Sequence, residues 1–205
     1  MNFRDKLFLA LLLFLVINFC FAQKNPNIIM VTCHDIGHHL GCYGVEEVST
    51  PKIDRLAEKG LMFRNLYSTS AVCSPGRESL LTGRYPQSNG VMGLNNEPWS
   101  WSLNDGEKHI AQILSENGYD TYLVGLNHIS SDVKRLGYRY NPPVKGDGEA
   151  GITKAAIGVI HRLENSINPV FIKVGYNLVH RLFTKGNSIE SKKGIFVPPL
   201  FSKHQ

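Results

Sequence analysis

The run Asn27-Ile28-Ile29-Met30-Val31-Thr32 follows Pro26 and leads directly into Cys33-His34-Asp35-Ile36-Gly37. Ile28 to Val31 is too short an apolar stretch for a helix, and it lacks the alternation of a half-solvated strand. It suits a strand buried on both faces, as in a parallel sheet covered by helices on each side. If this is the first strand, Cys33, His34 and Asp35 stand at its carboxyl end, where open α/β sheets collect their ligands. The chain beyond should then alternate helices with strands.

It does so on paper. Thr50-Pro51 offers an N-cap and a first-turn proline to a helix with Ile53, Leu56 and Ala57 on one face and Gly60 as its stop. Leu61 to Tyr67 reads as the next strand, and a helix is expected from about Ser74 to Thr82. Ile110, Ile113 and Leu114 mark another helix that ends at Asn117-Gly118, before a strand from Thr121 to Gly125. Arg135 to Gly151, with two prolines and four glycines, reads as a surface excursion. A last helix from Ile152 to about Glu164 precedes the apolar strand Val170 to Val174. The class expected is α/β, a mainly parallel sheet flanked by helices.

The first residues carry a different signal. Arg4 and Lys6 precede an apolar run from Leu7 to Phe21, too short for a comfortable membrane span, with Cys20 and Ala22 as small residues at a cleavage site. Residues 1–22 read as an export leader, which predicts a periplasmic, secreted or lysosomal protein with no membrane segment after cleavage. Acylation of Cys20 is the alternative, against which Phe19 is a poor fit. Loss of Arg4, Lys6 and Asp5 with the leader lowers the formal charge of +5 by one. That mild basic excess is compatible with an anionic substrate, and the absence of a Lys/Arg cluster argues against nucleic acid as a partner. Cys33, Cys42 and Cys73 would remain in an oxidising compartment, an odd number that chemical modification of one would explain. The other two could bridge or stay as thiols.

The segment richest in chemistry is Cys73-Ser74-Pro75-Gly76-Arg77-Glu78-Ser79-Leu80-Leu81-Thr82-Gly83-Arg84. It resembles the sulfatase signature C-x-P-x-R followed by L-T-G. The resemblance implies an alkaline-phosphatase/sulfatase-like fold and oxidation of Cys73 to formylglycine by a formylglycine-generating enzyme. A gem-diol formed on that aldehyde can attack sulfur with one hydroxyl and expel sulfate through the other, which a plain hydroxyl cannot do. A helix starting at Cys73 would present N–H groups and a positive dipole end to oxyanions. Arg77 would share its face.

The same resemblance assigns further residues. Asp35 is similar to a calcium-binding aspartate of the family, His34 occupies the place of a second one, and Cys73 completes the implied metal set; imidazole is an unusual donor for so hard a cation. Leu123 to His128 resembles the family's G-K-x-H, with His128 as a sulfate-contacting residue and Leu126 where the lysine stands. His180, in Gly175 to Arg181, is the implied general acid for the leaving group. Taken with Asn89 to Leu94 and Val197-Pro198-Pro199, the pattern looks like the heparan N-sulfatase branch. A sulfated glycan, through its amino sugars, is the implied substrate.

The resemblance runs from Pro26 to Pro199, making residues 23–199 the N-terminal part of a catalytic domain and 200–205 a divergent tail. The sheet is accordingly expected to be incomplete toward the C-terminus, and the chain alone to turn over little. A non-catalytic sulfatase fragment and a phosphatase or phosphonate hydrolase of the same superfamily are the competing readings. A carbohydrate-binding module would leave the nucleophile signature unexplained.

Overall fold

The computed structural model describes residues 2–5, 7–8, 25–130, 132–146, 148–163 and 166–177. Most of the assigned leader therefore falls outside the described residues, as do His180 and the whole segment from 178 onward. No described helix is long and apolar enough to cross a membrane.

Three strands form one parallel sheet: β1 (Ile28–Thr32), β2 (Asp120–Gly125) and β3 (Val170–Gly175), in the order β1-β3-β2. Among the described residues these helices accompany them: α1 (Pro51–Lys59), α2 (Cys73–Thr82), α3 (Pro86–Asn89), α4 (Ile110–Glu116) and α5 (Gly148–Arg162). β3 is central and buried along its whole length. Its odd-numbered residues face α2 and α4, where Phe171 joins Leu81, Ala111, Leu123, Leu136 and Tyr138 in one core. Its even-numbered residues face α5, where Ile172 and Val174 pack with Val124, Ile152, Ala156 and Val159. This is the period-two split of a strand between two layers.

Several expectations require correction. β1 is not buried on both faces: Ile29 is 52% and Val31 57% exposed. Ile28 and Met30 share the Phe171 face and are covered, whereas α5 stops over β2 and β3, and β1 is an edge among the described residues. Leu61 to Tyr67 is irregular rather than a strand, with Leu61, Phe63, Leu66 and Tyr67 all exposed. Strand propensity has no backbone partner there, and without a ladder it fixes nothing. The excursion from Arg135 to Gly151 is only partly on the surface: Leu136 and Tyr138 are core residues, and Tyr140 bridges to Tyr122 beside β2. α5 also begins earlier than expected, at Gly148.

Thr50 organises the start of α1 by a route other than capping. Its hydroxyl donates to Asp54 Oδ1 (2.9 Å) and accepts from the Gly41 N–H, tying α1 to the turn at Gly41–Tyr43.

Leu123 is 1% exposed in the α2/α4 core. Leu123→Ala should cost about 2–5 kcal/mol in urea denaturation, whereas Val31→Thr on the open face should change stability by less than about 0.5 kcal/mol. Equal losses would contradict this layer assignment.

Candidate active site

Thr32, Gly175 and Gly125 lie in one row at the carboxyl ends of the three strands. The chain continues from each end with its backbone still paired: Leu126 N–H donates to Gly175 O and Tyr176 N–H to Thr32 O, both at 2.8 Å. Gly125 (φ +81°) has no room for a side chain, because a Cβ would collide with the Gly175 carbonyl oxygen. The exits from β1 and β2 thus bring Cys33 to Asp35 and Asn127-His128 to the same edge. Asp35 (φ +53°) and His128 (φ +56°) both adopt left-handed backbone conformations, uncommon for residues other than glycine.

α2 completes the edge. It starts at Cys73 itself, so the thiol stands on the first helical residue, beside the N–H groups that the first turn leaves without intrahelical acceptors. Gly76 is the signature residue that the packing explains: a Cβ there would come within 2.9 Å of the Ser70 carbonyl oxygen. Gly83, left-handed at φ +68°, closes the helix by donating its N–H to Ser79 O.

One ligand atom each from His34, Cys73 and His128 lies within 4.8 Å of the others. His34 is buried (2% exposed) and its ring is 5.8 Å from that of His128. His34 Nδ1 meets Asp35 Oδ1 at 2.8 Å, while the Asp35 carboxylate is half in solvent. Arg77 Nη1 donates to Thr32 Oγ1 (3.4 Å). Burial pushes the Arg77 guanidinium below its ordinary value, against the opposing influence of Cys73, Asp35 and Cys33. Burial likewise raises the Cys33 thiol, with Glu149 adding to the rise and Arg77 opposing it. Five of the six site residues expected from the sequence, namely His34, Asp35, Cys73, Arg77 and His128, thus gather at one edge; His180 lies outside the described residues. Cys33, Cys42 and Cys73 are all free thiols. A cavity of about 500 Å³ lined by Cys42, Val45, Asp54, Ala57 and Met62 lies elsewhere, between α1 and the turn before it.

Behind Arg77 lies a polar cluster that sequence reasoning missed. Lys173, 1% exposed in the middle of β3, donates to Leu126 O (3.2 Å), acts electrostatically on Glu78 and His109, and feels Arg77 in turn. Burial, then Arg77, pushes Lys173 down to about 8. Glu78 is fully buried with neither carboxylate oxygen hydrogen-bonded, and burial pushes it up to about 7 against the pull of Lys173. His109 accepts from the Ala111 N–H through Nδ1 at the start of α4, and burial holds it neutral, down to about 3. Tyr138 stacks edge-on against His109, and its hydroxyl is raised by burial and by Glu78. The signal was available: a lysine inside an otherwise apolar strand, and an acid on the helix face directed into the core.

Glu78 holds its proton more tightly in the folded chain than in the unfolded one, so folding keeps this contribution below about pH 4.5 and loses it as the pH climbs through about 7. Lys173 acts in a higher window, losing its contribution as the pH falls from 10.5 through about 8. Between pH 4.5 and 7 the thermal stability of the chain should therefore fall with rising pH relative to Glu78→Gln, by on the order of a few kcal/mol. Parallel melting profiles for the two proteins would refute the buried-acid assignment.

The sequence profile of the family described as Sulfatase matches residues 26–200. An N-acetylgalactosamine-6-O-sulfatase of Bacteroides thetaiotaomicron is 42% identical over 111 residues, which cover 52% of this chain and 21% of that protein. Human N-sulphoglucosamine sulphohydrolase is 32% identical over 120 residues, covering 58% and 24%. Among solved structures, a protein in complex with its substrate D-glucosamine-2-N,6-O-disulfate superimposes with a TM-score of 0.63 at 25% identity, over 77% of this chain and 35% of the other. The chain spans well under half the length of these relatives. The parallel sheet with its flanking helices has the alkaline-phosphatase-like architecture of those neighbours, and the chain belongs to the sulfatase family.

Proposed function

We propose that this chain carries the nucleophile-bearing part of a sulfohydrolase site for sulfated amino sugars of glycans, with Cys73 converted to formylglycine. The observation that supports this most is the position of Cys73: the first residue of α2, inside the C-x-P-x-R signature, at the carboxyl edge of the parallel sheet and one helical turn from Arg77. In the converted form the residue supplies a gem-diol, one hydroxyl to attack sulfur and one to expel sulfate.

The chain's own residues do the rest. The N–H groups of the first turn of α2 stabilise negative oxygen on the transferring group. Arg77, held by Thr32, neutralises charge that accumulates between nucleophile and sulfate. Lys173 adds positive potential from behind, which matters because Leu126 stands where the family carries a lysine. His128 lies next to Cys73 and can contact sulfate or take a proton. His180 is the proposed general acid. A sulfated glycan and a formylglycine-generating enzyme are the proposed partners, and residues 1–22 the proposed export leader.

The calcium implied by the resemblance does not fit the described residues. They offer one carboxylate, Asp35, which is already engaged with His34, beside two imidazoles and a thiol. A hard cation takes six to eight oxygen ligands.

Two measurements test the proposal. Peptide mass spectrometry after co-expression with an active formylglycine-generating enzyme should find Cys73 as the aldehyde. The converted chain should release sulfate from N-sulfoglucosamine slowly, not at all as Cys73→Ala, and about 10²–10³-fold more slowly still as Arg77→Ala. Cys73 recovered only as thiol, or sulfate release indifferent to Cys73→Ala, would overturn the reading.

A further inference from the structure

The donor set that fails calcium has a chemistry of its own. Two imidazoles and a thiol meet within 4.8 Å at His34, His128 and Cys73. These are nitrogen and sulfur donors, the ligands of a borderline-soft ion such as zinc. Tetrahedral zinc needs ligand atoms about 3.3–3.6 Å apart, from bonds of about 2.0–2.1 Å to nitrogen and 2.3 Å to sulfur. Closure by about 1 Å would bring the three atoms to that spacing.

Asp35 strengthens the case. Its Oδ1 lies 2.8 Å from His34 Nδ1. A proton on Nδ1 donated to that carboxylate fixes the ring orientation and leaves the imidazole lone pair on Nε2, the outer arrangement that accompanies zinc-bound histidines. Cys73 stands at the start of α2, beside the N–H groups of its first turn and one helical turn from Arg77. Three protein ligands leave a fourth position for water or an anion, as in open zinc sites.

We propose that the folded, unconverted chain binds a zinc-class ion through His34, Cys73 and His128, with Asp35 orienting His34. On binding, the Cys73 thiol loses its proton to solvent as the sulfur–metal bond forms. Conversion of Cys73 to the aldehyde removes the thiolate donor, so zinc binding belongs to the thiol form, in which it shields the sulfur from oxidation. The site requires no sulfate chemistry: its failure would leave the sulfohydrolase reading standing, and the reverse.

The experiment is titration of the reduced, unconverted 205-residue chain with Co²⁺ as the probe. Expected are the intense visible bands of four-coordinate cobalt with a thiolate-to-cobalt band in the near ultraviolet, bleached by Zn²⁺ and unaffected by excess Ca²⁺. Cys73→Ser should abolish the thiolate band, whereas Cys33→Ser and Cys42→Ser should keep it. Asp35→Asn, which alters a half-exposed carboxylate and no core contact, should weaken Co²⁺ binding by about 10–100-fold while the fold is retained by circular dichroism. A six-coordinate spectrum, a thiolate band that survives Cys73→Ser, or Asp35→Asn with unchanged affinity would overturn the proposal.

Discussion

The placement of β3 between β1 and β2, parallel to both, is the constraint on which the rest of this structure depends. Parallel pairing aligns all three carboxyl ends, so Thr32, Gly125 and Gly175 share a row and everything that follows them emerges on one side. The ladder does not stop at the strand ends, since Leu126 and Tyr176 donate one further hydrogen bond each across the gap. Such close passage is possible because glycines stand at both exits. The reactive side chains inherit their positions from that backbone arrangement, with two left-handed residues, Asp35 and His128, aiming them.

A second constraint is electrostatic. The half-buried Arg77 and the fully buried Lys173 and Glu78 form a sequence of charges running from the candidate site into the core behind α2. Burying a charge costs several kcal/mol unless it is compensated, and Glu78 lacks a hydrogen bond on either oxygen. The protein tolerates this by moving protonation states together: burial drives the acid up and the lysine down, so both titrate near neutrality. Such strain in polar chemistry is often stored next to a functional edge, and here it lies one residue from Arg77.

If Cys73 is converted as proposed, the ion suited to the candidate site depends on the state of that residue. As a thiol it joins two imidazoles in a set that prefers a borderline-soft metal. As an aldehyde hydrate it would offer oxygen instead, and the preference would move toward harder cations. On the proposed conversion, one covalent change would alter both the nucleophile and the coordination chemistry of a site whose surrounding side chains stay the same.

The sequence by itself determined the α/β class and the positions of β1, β2, β3, α2 and α4 to within a residue or two, and it singled out His34, Asp35, Cys73, Arg77 and His128, which the fold brings to one edge. Those features are local: a run of apolar residues, a proline at a helix start, a glycine at its end, and a motif whose spacing is built into one helix. Tertiary structure decided what depends on neighbours. Among the described residues, Leu61 to Tyr67 has strand-like composition but no strand beside it, and Ile29 and Val31 look like core but meet no helix. Leu136 and Tyr138 sit in a glycine- and proline-rich stretch yet fill the α2/α4 core. Lys173 and Glu78 are nearly a hundred residues apart in the chain and become one buried pair only when β3 passes beneath α2. The same holds for the ligand set, since His34, Cys73 and His128 come from three separate segments and their mutual distances exist only once the parallel sheet has joined them.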